Sequence, residues 1–327
     1  MESTTCQVVD WIEAAGGDYM LSIGENFGLS TELSCELGND VSNLELKANG
    51  KTSSLEDVNV VWYRRDGSSM PRSVDSIKDK ELRSSIKKFR MSELKETKWT
   101  LYRLFKDKKF LTQPFNRETN KMEALSMAID SGLNVPGSLV TDSRDQLAAF
   151  VLKNGTLITK AILNGDFFQK NKESYAVYTE AIGETEINAL PDRFFPALFQ
   201  QKVEKEYEIR TFFLDNKCYS MAIFSQEDEQ TAVDFRRYNN VDPNRTVPYQ
   251  LPKGVERDLR KLMKKMRLKT GSIDLLKSTD GEYYFLEVNA VGQFGMVSHP
   301  CNYYLEKEVA DYLIKNDYPD GESKTKV

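Results

Sequence analysis

Apolar residues recur at roughly helical spacing between 75 and 105, at Ile77, Leu82, Ile86, Phe89, Leu94, Leu101 and Leu104. Ahead of them, 7–15 predicts a short helix and VNVVWYRR (58–65) a buried strand that ends in arginines. The stretch 36–54 is polar, with Asn, Gly, Ser and Lys, and suits turns or a small meander. These elements make a first, N-terminal domain, 1–115.

A second unit, 116–195, opens with a helix over 119–131, for which Gly132 is a C-cap. Val135-Pro136 leads into a short strand, GSLVTD. A helix over 143–153 ends at Asn154-Gly155. TLITKAIL (156–163) reads as a strand, then comes a polar loop around Gly165 and a strand SYAVYTEAI. This α-β-α-β order predicts a small α+β lobe. In a third unit, 196–327, QQKV (200–203) and YEIRTFFLD (207–215) alternate like strands, and Asp215-Asn216-Lys217 turns into CYSMAIFS. A basic amphipathic helix over 254–267, strands GSIDLLK and EYYFLEVN, and a helix over 303–315 follow. The tail, 319–327, is expected to be disordered.

Composition narrows the chemistry. The 327 residues are 40% hydrophobic and 29% charged, ordinary for a globular protein. A net charge of −5 argues against a general nucleic-acid binder. Glu2, Asp10, Glu13, Asp18 and Glu25 exclude an ordinary signal peptide. No apolar run approaches the ~18 residues of a membrane span. Cys6, Cys35, Cys218 and Cys301 are scattered, with no CxxC pair, so a reduced cytoplasmic protein is expected. The single histidine, His299, rules out a histidine-rich zinc site, and a Ser-His-Asp or Cys-His mechanism would have to use it. Catalysis here falls to carboxylates, lysines, arginines and a hard metal.

One hairpin, 271–289, carries a metal-site pattern. Asp280-Gly281 is a favoured two-residue loop. With that loop Thr279 faces Glu282, and Asp274 falls directly opposite Glu287, where like charges repel. Asn289 projects from the same face as Glu287. Two carboxylates and an amide oxygen suit Mg²⁺. The bland reading is an exposed polar face. The apolar neighbours Ile273, Leu275, Leu276, Phe285, Leu286 and Val288 weigh against it, since buried paired carboxylates need a cation or a raised pKa. On this reading, neutralising Asp274 or Glu287 should leave stability unchanged or higher.

Other charged positions are open to two readings. Lys160, within LITKAI, faces solvent or is held for an anion. The loop NGDFFQKNKES is a phosphate lid or a surface hairpin. Arg210 and Glu208 share a strand face and form either a plain ion pair or part of a site. Asp234-Phe235-Arg236-Arg237 is a solvated loop or a clamp on a transferring phosphoryl group.

In ordered motifs from about Asn120 to Asn289, the chain resembles the ATP-grasp superfamily. The resemblance implies an α+β ATP-grasp fold, with an N-terminal α/β domain and two α+β lobes that sandwich ATP. NKMEAL…GLNVPGSLVTD resembles the segment whose lysine contacts ATP phosphate, here Lys121. LITKAI resembles the strand with the second phosphate lysine, Lys160. LFQQKV resembles the adenine hinge, Gln201, Lys202 and Val203. A glutamate is common where Gln201 stands, so adenine recognition is expected to rest on backbone groups. YEIR implies Glu208 at the ribose and Arg210 at the reaction centre. Asp274, Glu287 and Asn289 match the magnesium ligands.

Within the superfamily, VWYRR (61–65), AIFSQ (222–226), DFRRYN (234–239) and EVNAVGQFGMVSHPCNYYLEK (287–307) resemble the graspetide (microviridin-type) macrocyclases, especially those of grasp-with-spasm systems. That resemblance implies an enzyme using ATP and Mg²⁺ on a ribosomal precursor peptide of leader plus core. Asp or Glu side chains are phosphorylated, and Ser, Thr or Lys side chains close ester or amide rings. Arg210, Arg236 and Arg237 are the implied catalytic residues, and a homodimer is compatible with it. Phe194 and Phe195 are candidates for leader docking or for the core. Relatives open with a strand before the helix near Cys6, so that strand is expected to be missing or truncated here. Two rivals remain: a ligase of the same fold that adds a free amino acid to a peptide or small acid, and a nucleotide-binding module without turnover. A purely structural protein would leave the Asp274–Glu287 pair unexplained.

Overall fold

The expected first helix is present in the computed structural model as α1 (Ser3–Ala14). The structure describes residues 2–21, 31–38, 42–48, 50–64, 74, 76–114, 120–162, 167–170, 173–176, 179–227 and 244–317. The polar stretch does form a meander, although it opens at Thr31. Strands β1 (Thr31–Leu37), β2 (Ser42–Ala48) and β3 (Lys51–Ser54) pair antiparallel. Then β4 (Val60–Trp62), α2 (Lys80–Leu104) and β5 (Lys109–Thr112) follow, with β4 and β5 parallel. Asp79 starts α2, its Oδ1 accepting from Glu81 N and Leu82 N at 2.9 Å. The helical stripe buries only at its C-terminal end, where Leu101 joins Leu44, Leu46, Phe105 and Phe110. Leu82 and Phe89 stay exposed at 53% and 63%. The helix has 25 residues and is roughly 37 Å long, and of these only Lys98 and Leu101 are buried.

The next part begins with α3 (Lys121–Ser131), started by Asn120 Oδ1 and ended by Gly132 at φ 96°. It continues through β6 (Ser138–Ser143), α4 (Arg144–Asn154), β7 (Leu157–Lys160), β8 (Phe167–Lys170), β9 (Glu173–Ala176), β10 (Glu180–Ile182), α5 (Glu184–Ala189) and β11 (Arg193–Gln201). The strand expected over 174–182 is two strands. β9 makes a hairpin with β8, while β10 joins a four-stranded antiparallel sheet of order β10-β7-β11-β6. One face of that sheet, with Leu157 and Phe199, packs on Leu147 of α4 and Ile187 of α5. β11 spans the expected division at 195/196 and ends at Gln201, so Lys202 and Val203 lie in the connection that follows.

A second sheet contains β12 (Lys205–Leu214), β13 (Lys217–Phe224), β14 (Arg245–Tyr249), β15 (Thr270–Ser278) and β16 (Tyr283–Asn289), with α6 (Lys253–Lys265) before β15 and α7 (Gly295–Cys301) after β16. Its order is β14-β13-β12-β15-β16, antiparallel throughout. Asp215 and Asn216, at φ 44° and 71°, make the two-residue turn from β12 to β13. A run with both residues at positive φ matches the strands' right-handed twist. Ile209, Phe213, Ile273, Leu275, Phe285 and Val288 fill one face, against Leu125 of α3 and Leu259, Leu262 and Met263 of α6. Each such buried side chain contributes about 1.5–3 kcal/mol. The opposite face therefore carries the polar residues.

The last helix, α8 (Leu305–Asp317), packs on α1, and Lys307 Nζ lies 5.9 Å from the Trp11 ring centre. Packing thus divides the chain into Met1–Pro114 with the segment from Tyr304, and Phe115–Tyr303. Among the described residues no strand precedes α1, and no helix is long and apolar enough to cross a membrane.

Candidate functional site

The polar face of the second sheet gathers the residues that the metal argument singled out. Asp274 of β15 is paired across the ladder with Glu287 of β16, and Ser272 with Asn289. The pairing is the expected one, but the loop is not. Gly281 N bonds Ser278 O at 3.0 Å and Ser278 N bonds Glu282 O at 2.9 Å, so the turn is longer than Asp280-Gly281 and Thr279 does not face Glu282. Beyond it Lys277 pairs with Tyr283, and Leu275 with Phe285. Leu286 is then the extra residue of a β-bulge, and the bulge restores the Asp274–Glu287 pairing.

Both carboxylates are engaged by cations. Arg210 on β12 is the ladder partner of Asp274 on its other side, and Arg210 Nη1 donates to Asp274 Oδ1. Their residues are 7% and 9% exposed. Lys121, at the first turn of α3, places Nζ 3.6 Å from Glu287 Oε2 and donates to Ala161 O at 3.0 Å. Asn289 Oδ1 accepts from Val291 N at 3.1 Å, which fixes its oxygen beside Glu287. Among the described residues no group of three or more His, Cys, Asp or Glu could hold a metal. Two carboxylates and an amide are nonetheless the lean oxygen set that suits Mg²⁺, which takes few protein ligands and fills its shell with phosphate oxygens and water. The set fits a magnesium ion that would share these oxygens with Arg210 and Lys121.

Glu208 lies on the same face, two residues before Arg210. It is 8% exposed, and its carboxylate accepts from Lys205 Nζ and, at 2.8 Å, from Ser225 Oγ. Burial pushes its pKa up, opposed by the charge and hydrogen bond of Lys205 and by Ser225. Sequence reasoning missed Lys205. Three residues apart on a regular strand, Lys205 and Glu208 would face opposite sides, but a register shift between Lys205 and Tyr207 brings them together.

On the first sheet, Lys160 ends β7, half-buried, opposite Leu198. It lies on the face away from α4. The hinge residues are partly committed. Gln201 N bonds Gly137 O and Lys202 N bonds Thr156 O, each at 2.8 Å, while Gln201 Oε1 accepts from Gly137 N at 3.3 Å. Val203 follows in the connection between β11 and β12. Gly137 cannot be replaced freely, since a Cβ there would lie 2.5 Å from Asn154 Oδ1. Phe194 packs on Phe199, with ring centres 6.0 Å apart, whereas Phe195 is 90% exposed. Arg236 and Arg237 lie outside the described residues.

A lobe bearing a lysine strand and a hinge, followed by a sheet with opposed carboxylates beside a buried arginine, is the architecture of the ATP-grasp ligases. Solved structures narrow it further, to the fold of graspetide macrocyclases and related peptide ligases. A Chryseobacterium gregarium RiPP-associated ATP-grasp ligase, in complex with ADP and a leader and core peptide, matches with a TM-score of 0.83 and 25% identity over 96% of this chain and 93% of that one. The macrocyclase MdnC from Microcystis aeruginosa MRC, bound with precursor peptide MdnA, matches at 0.79 and 23% over 96% of each chain. The ATP-grasp ligase PsnB, complexed with minimal precursor, Mg and ADP, matches at 0.73 and 18% over 97% of this chain and 94% of its own. No family model and no curated protein matches the chain.

Proposed function

We propose that this chain is an ATP-dependent ligase that phosphorylates Asp or Glu side chains of a ribosomal precursor peptide and closes rings with Ser or Thr hydroxyls, or Lys amines, of the same peptide. The observation that carries the reading is the opposed Asp274–Glu287 pair, with Asn289 and the buried Arg210 on one sheet face. The likeness to a peptide ligase seen with ADP and with leader and core peptides supports it.

In this mechanism a substrate carboxylate oxygen attacks the γ-phosphorus of ATP, and ADP leaves. The hydroxyl or amine then attacks the acyl phosphate carbon, loses its proton, and expels phosphate. A bound magnesium ion would supply positive charge to offset that on the phosphate oxygens. Asp274, Glu287 and Asn289 would hold the metal, and Lys121 and Lys160 the phosphates. Gln201, Lys202 and Val203 hold the adenine, and Glu208 the ribose. Arg210, with Arg236 and Arg237, counters the carboxylate's charge before activation and the acyl phosphate's after it. No protein nucleophile is required, because ATP supplies the leaving group.

The test is mass spectrometry of the precursor after incubation with enzyme, ATP and Mg²⁺. Successive losses of ~18 Da, one water per ring, are expected, with one ADP per bond, as for proximity-driven ring closure. We further expect ester links, which mild alkali reverses and amides resist. A mass gain equal to a free amino acid would refute cyclisation, and AMP as product would refute the acyl phosphate.

A further inference from the structure

The outward face of α6 carries a stripe of cations. Between Lys253 and Lys269 the chain has eight Lys and Arg and two acids, a local charge of +6 in a chain of −5. By helical spacing Lys253, Arg257, Arg260, Lys261 and Lys264 fall on one side of α6, opposite Leu259 and Leu262, which pack in the core. Arg257 and Lys261 pair with Asp258, Arg260 with Glu256, and Lys265 with Asp130. Lys253, Lys264, Arg267 and Lys269 are exposed and make no ion pair among the described residues.

This arrangement works against the helix. Lys253 and Arg257, Arg257 and Lys261, Arg260 and Lys264, and Lys261 and Lys265 stand four residues apart, where like charges repel. The helix dipole favours cations in the last turn, but Lys253 is the first residue, at the positive end. Arg267 ends α6 in the left-handed conformation at φ 56°, with Leu268 N bonded to Met263 O at 2.8 Å and Arg267 N to Lys264 O at 3.0 Å. That closing motif favours glycine at the position of Arg267, because a Cβ is strained there. Repulsion and strain concentrated on one surface point to an anion that relieves them.

We propose that the α6 stripe is a docking site for an acidic stretch of the precursor peptide, on the side of the second sheet away from Asp274 and Glu287. The proposal rests on the ligase reading, under which the substrate carries the Asp or Glu side chains to be activated. Side chains on one edge of an extended peptide recur about every 6.6 Å, and turns along the stripe about every 5.4 Å, within the reach of flexible Lys and Arg side chains. A nucleic acid fits less well. Single strands are held by basic grooves with aromatic stacking platforms, and 253–269 contains no Phe, Tyr or Trp. The apolar side of α6 is packed in the core, so the helix has none to insert into a lipid surface. Each ring consumes one carboxylate, so the peptide's hold on the stripe weakens as rings close.

The test is fluorescence anisotropy of a labelled oligoglutamate. Wild type is expected to bind it at low salt and release it at high salt, since exposed charges are screened. The same peptide with its side chains as methyl esters, uncharged as after ring closure, should not bind. Lys253→Glu combined with Lys264→Glu should weaken binding roughly tenfold, with ADP affinity unchanged. Arg267→Gly should weaken it several-fold while holding or raising stability, because glycine accepts the left-handed conformation. A merely structural role for Arg267 would leave peptide binding unmoved. Equal binding in wild type and variants, or binding indifferent to salt or to esterification, overturns the proposal and makes the stripe a solvated surface. Tighter binding of a single-stranded oligonucleotide of equal charge overturns it in favour of a nucleic acid. Should the double variant fail to fold, Arg267→Gly decides in the same way. Wild type that binds the peptide but not ADP keeps the docking site and overturns the ligase reading instead.

Discussion

Asp274 and Glu287 face one another across β15 and β16 because Leu286 is bulged out of the ladder between them. The bulge lets Phe285 and Val288, three residues apart, both point into the apolar layer against α3 and α6. It also lets Glu287 and Asn289 both point to the polar face. Arg210 then supplies Asp274 with a counter-charge, and this changes what substitution at the pair should do.

Asp274→Asn and Glu287→Gln should both abolish turnover, but with unequal effects on stability. The expectation that removing either charge is harmless considered only repulsion within the pair. Asp274→Asn leaves Arg210, 7% exposed, without its carboxylate. Breaking a buried pair in this way costs about 3 kcal/mol or more. Glu287 meets Lys121 only at 3.6 Å, with a quarter of its side chain exposed, so Glu287→Gln should cost less than about 1 kcal/mol. Urea denaturation separates the two, and equal losses would argue against Arg210 as the cause.

Lys160→Ala should weaken ADP binding by roughly tenfold, the loss of one charge-assisted phosphate contact. Arg210→Ala should mainly lower the rate, by about 10² or more, since it meets charge that develops during transfer. It should also destabilise the fold, because the buried Asp274 carboxylate loses the guanidinium that donates to it. Calorimetry with ADP, run beside a rate assay, distinguishes the roles. Equal ADP affinity in wild type and Lys160→Ala would remove Lys160 from the phosphate site.

Lys205→Met should lower stability in a pH-dependent way. Burial already raises the pKa of Glu208, and Lys205 is the largest influence opposing the rise. Without it the folded-state pKa climbs further above the unfolded value. Stability from such a group is fully present below the ordinary carboxylate pKa of about 4.3 and is lost as pH rises through the folded pKa. The deficit relative to wild type should therefore grow from pH 4 towards pH 8. It should flatten in the double variant with Glu208→Gln. A deficit independent of pH would mean that Lys205 acts by packing alone.

Thiol labelling should follow burial. Cys35 is exposed, whereas burial pushes the Cys218 thiol up to about 12 and raises Cys301 as well. The thiolate is the reactive form, so at pH 8 Cys218 stays protonated and unreactive in the folded protein. Peptide mapping after alkylation should show Cys35 modified first and Cys218 only on unfolding.

Local pattern carried much of this protein. Gly132 ends α3 as the left-handed C-cap expected of it, although the helix starts at Lys121 behind the Asn120 cap rather than at 119, and the Asp215-Asn216 turn is equally local. Alternation alone put Glu208 and Arg210 on one face of their strand, and Asp274, Glu287 and Asn289 on one face of their hairpin, while the pairing of β12 with β15 that joins the two sets came only with the structure. What pattern does not encode is what an element finds to pack on. The stripe along α2 looks uniform, yet only its Leu101 end is covered. The final helix follows the second sheet in sequence but packs on α1. Irregularities were equally hidden. The bulge at Leu286 and the register shift before Tyr207 each rotate side chains by half a strand period, which moved Lys205 onto Glu208 and kept Glu287 opposite Asp274. The chain by itself therefore determined which residues could meet on a face, because alternation is a property of the local backbone. Which of them do meet was decided by ladder register and hydrogen-bond partners, which exist only once distant strands have paired.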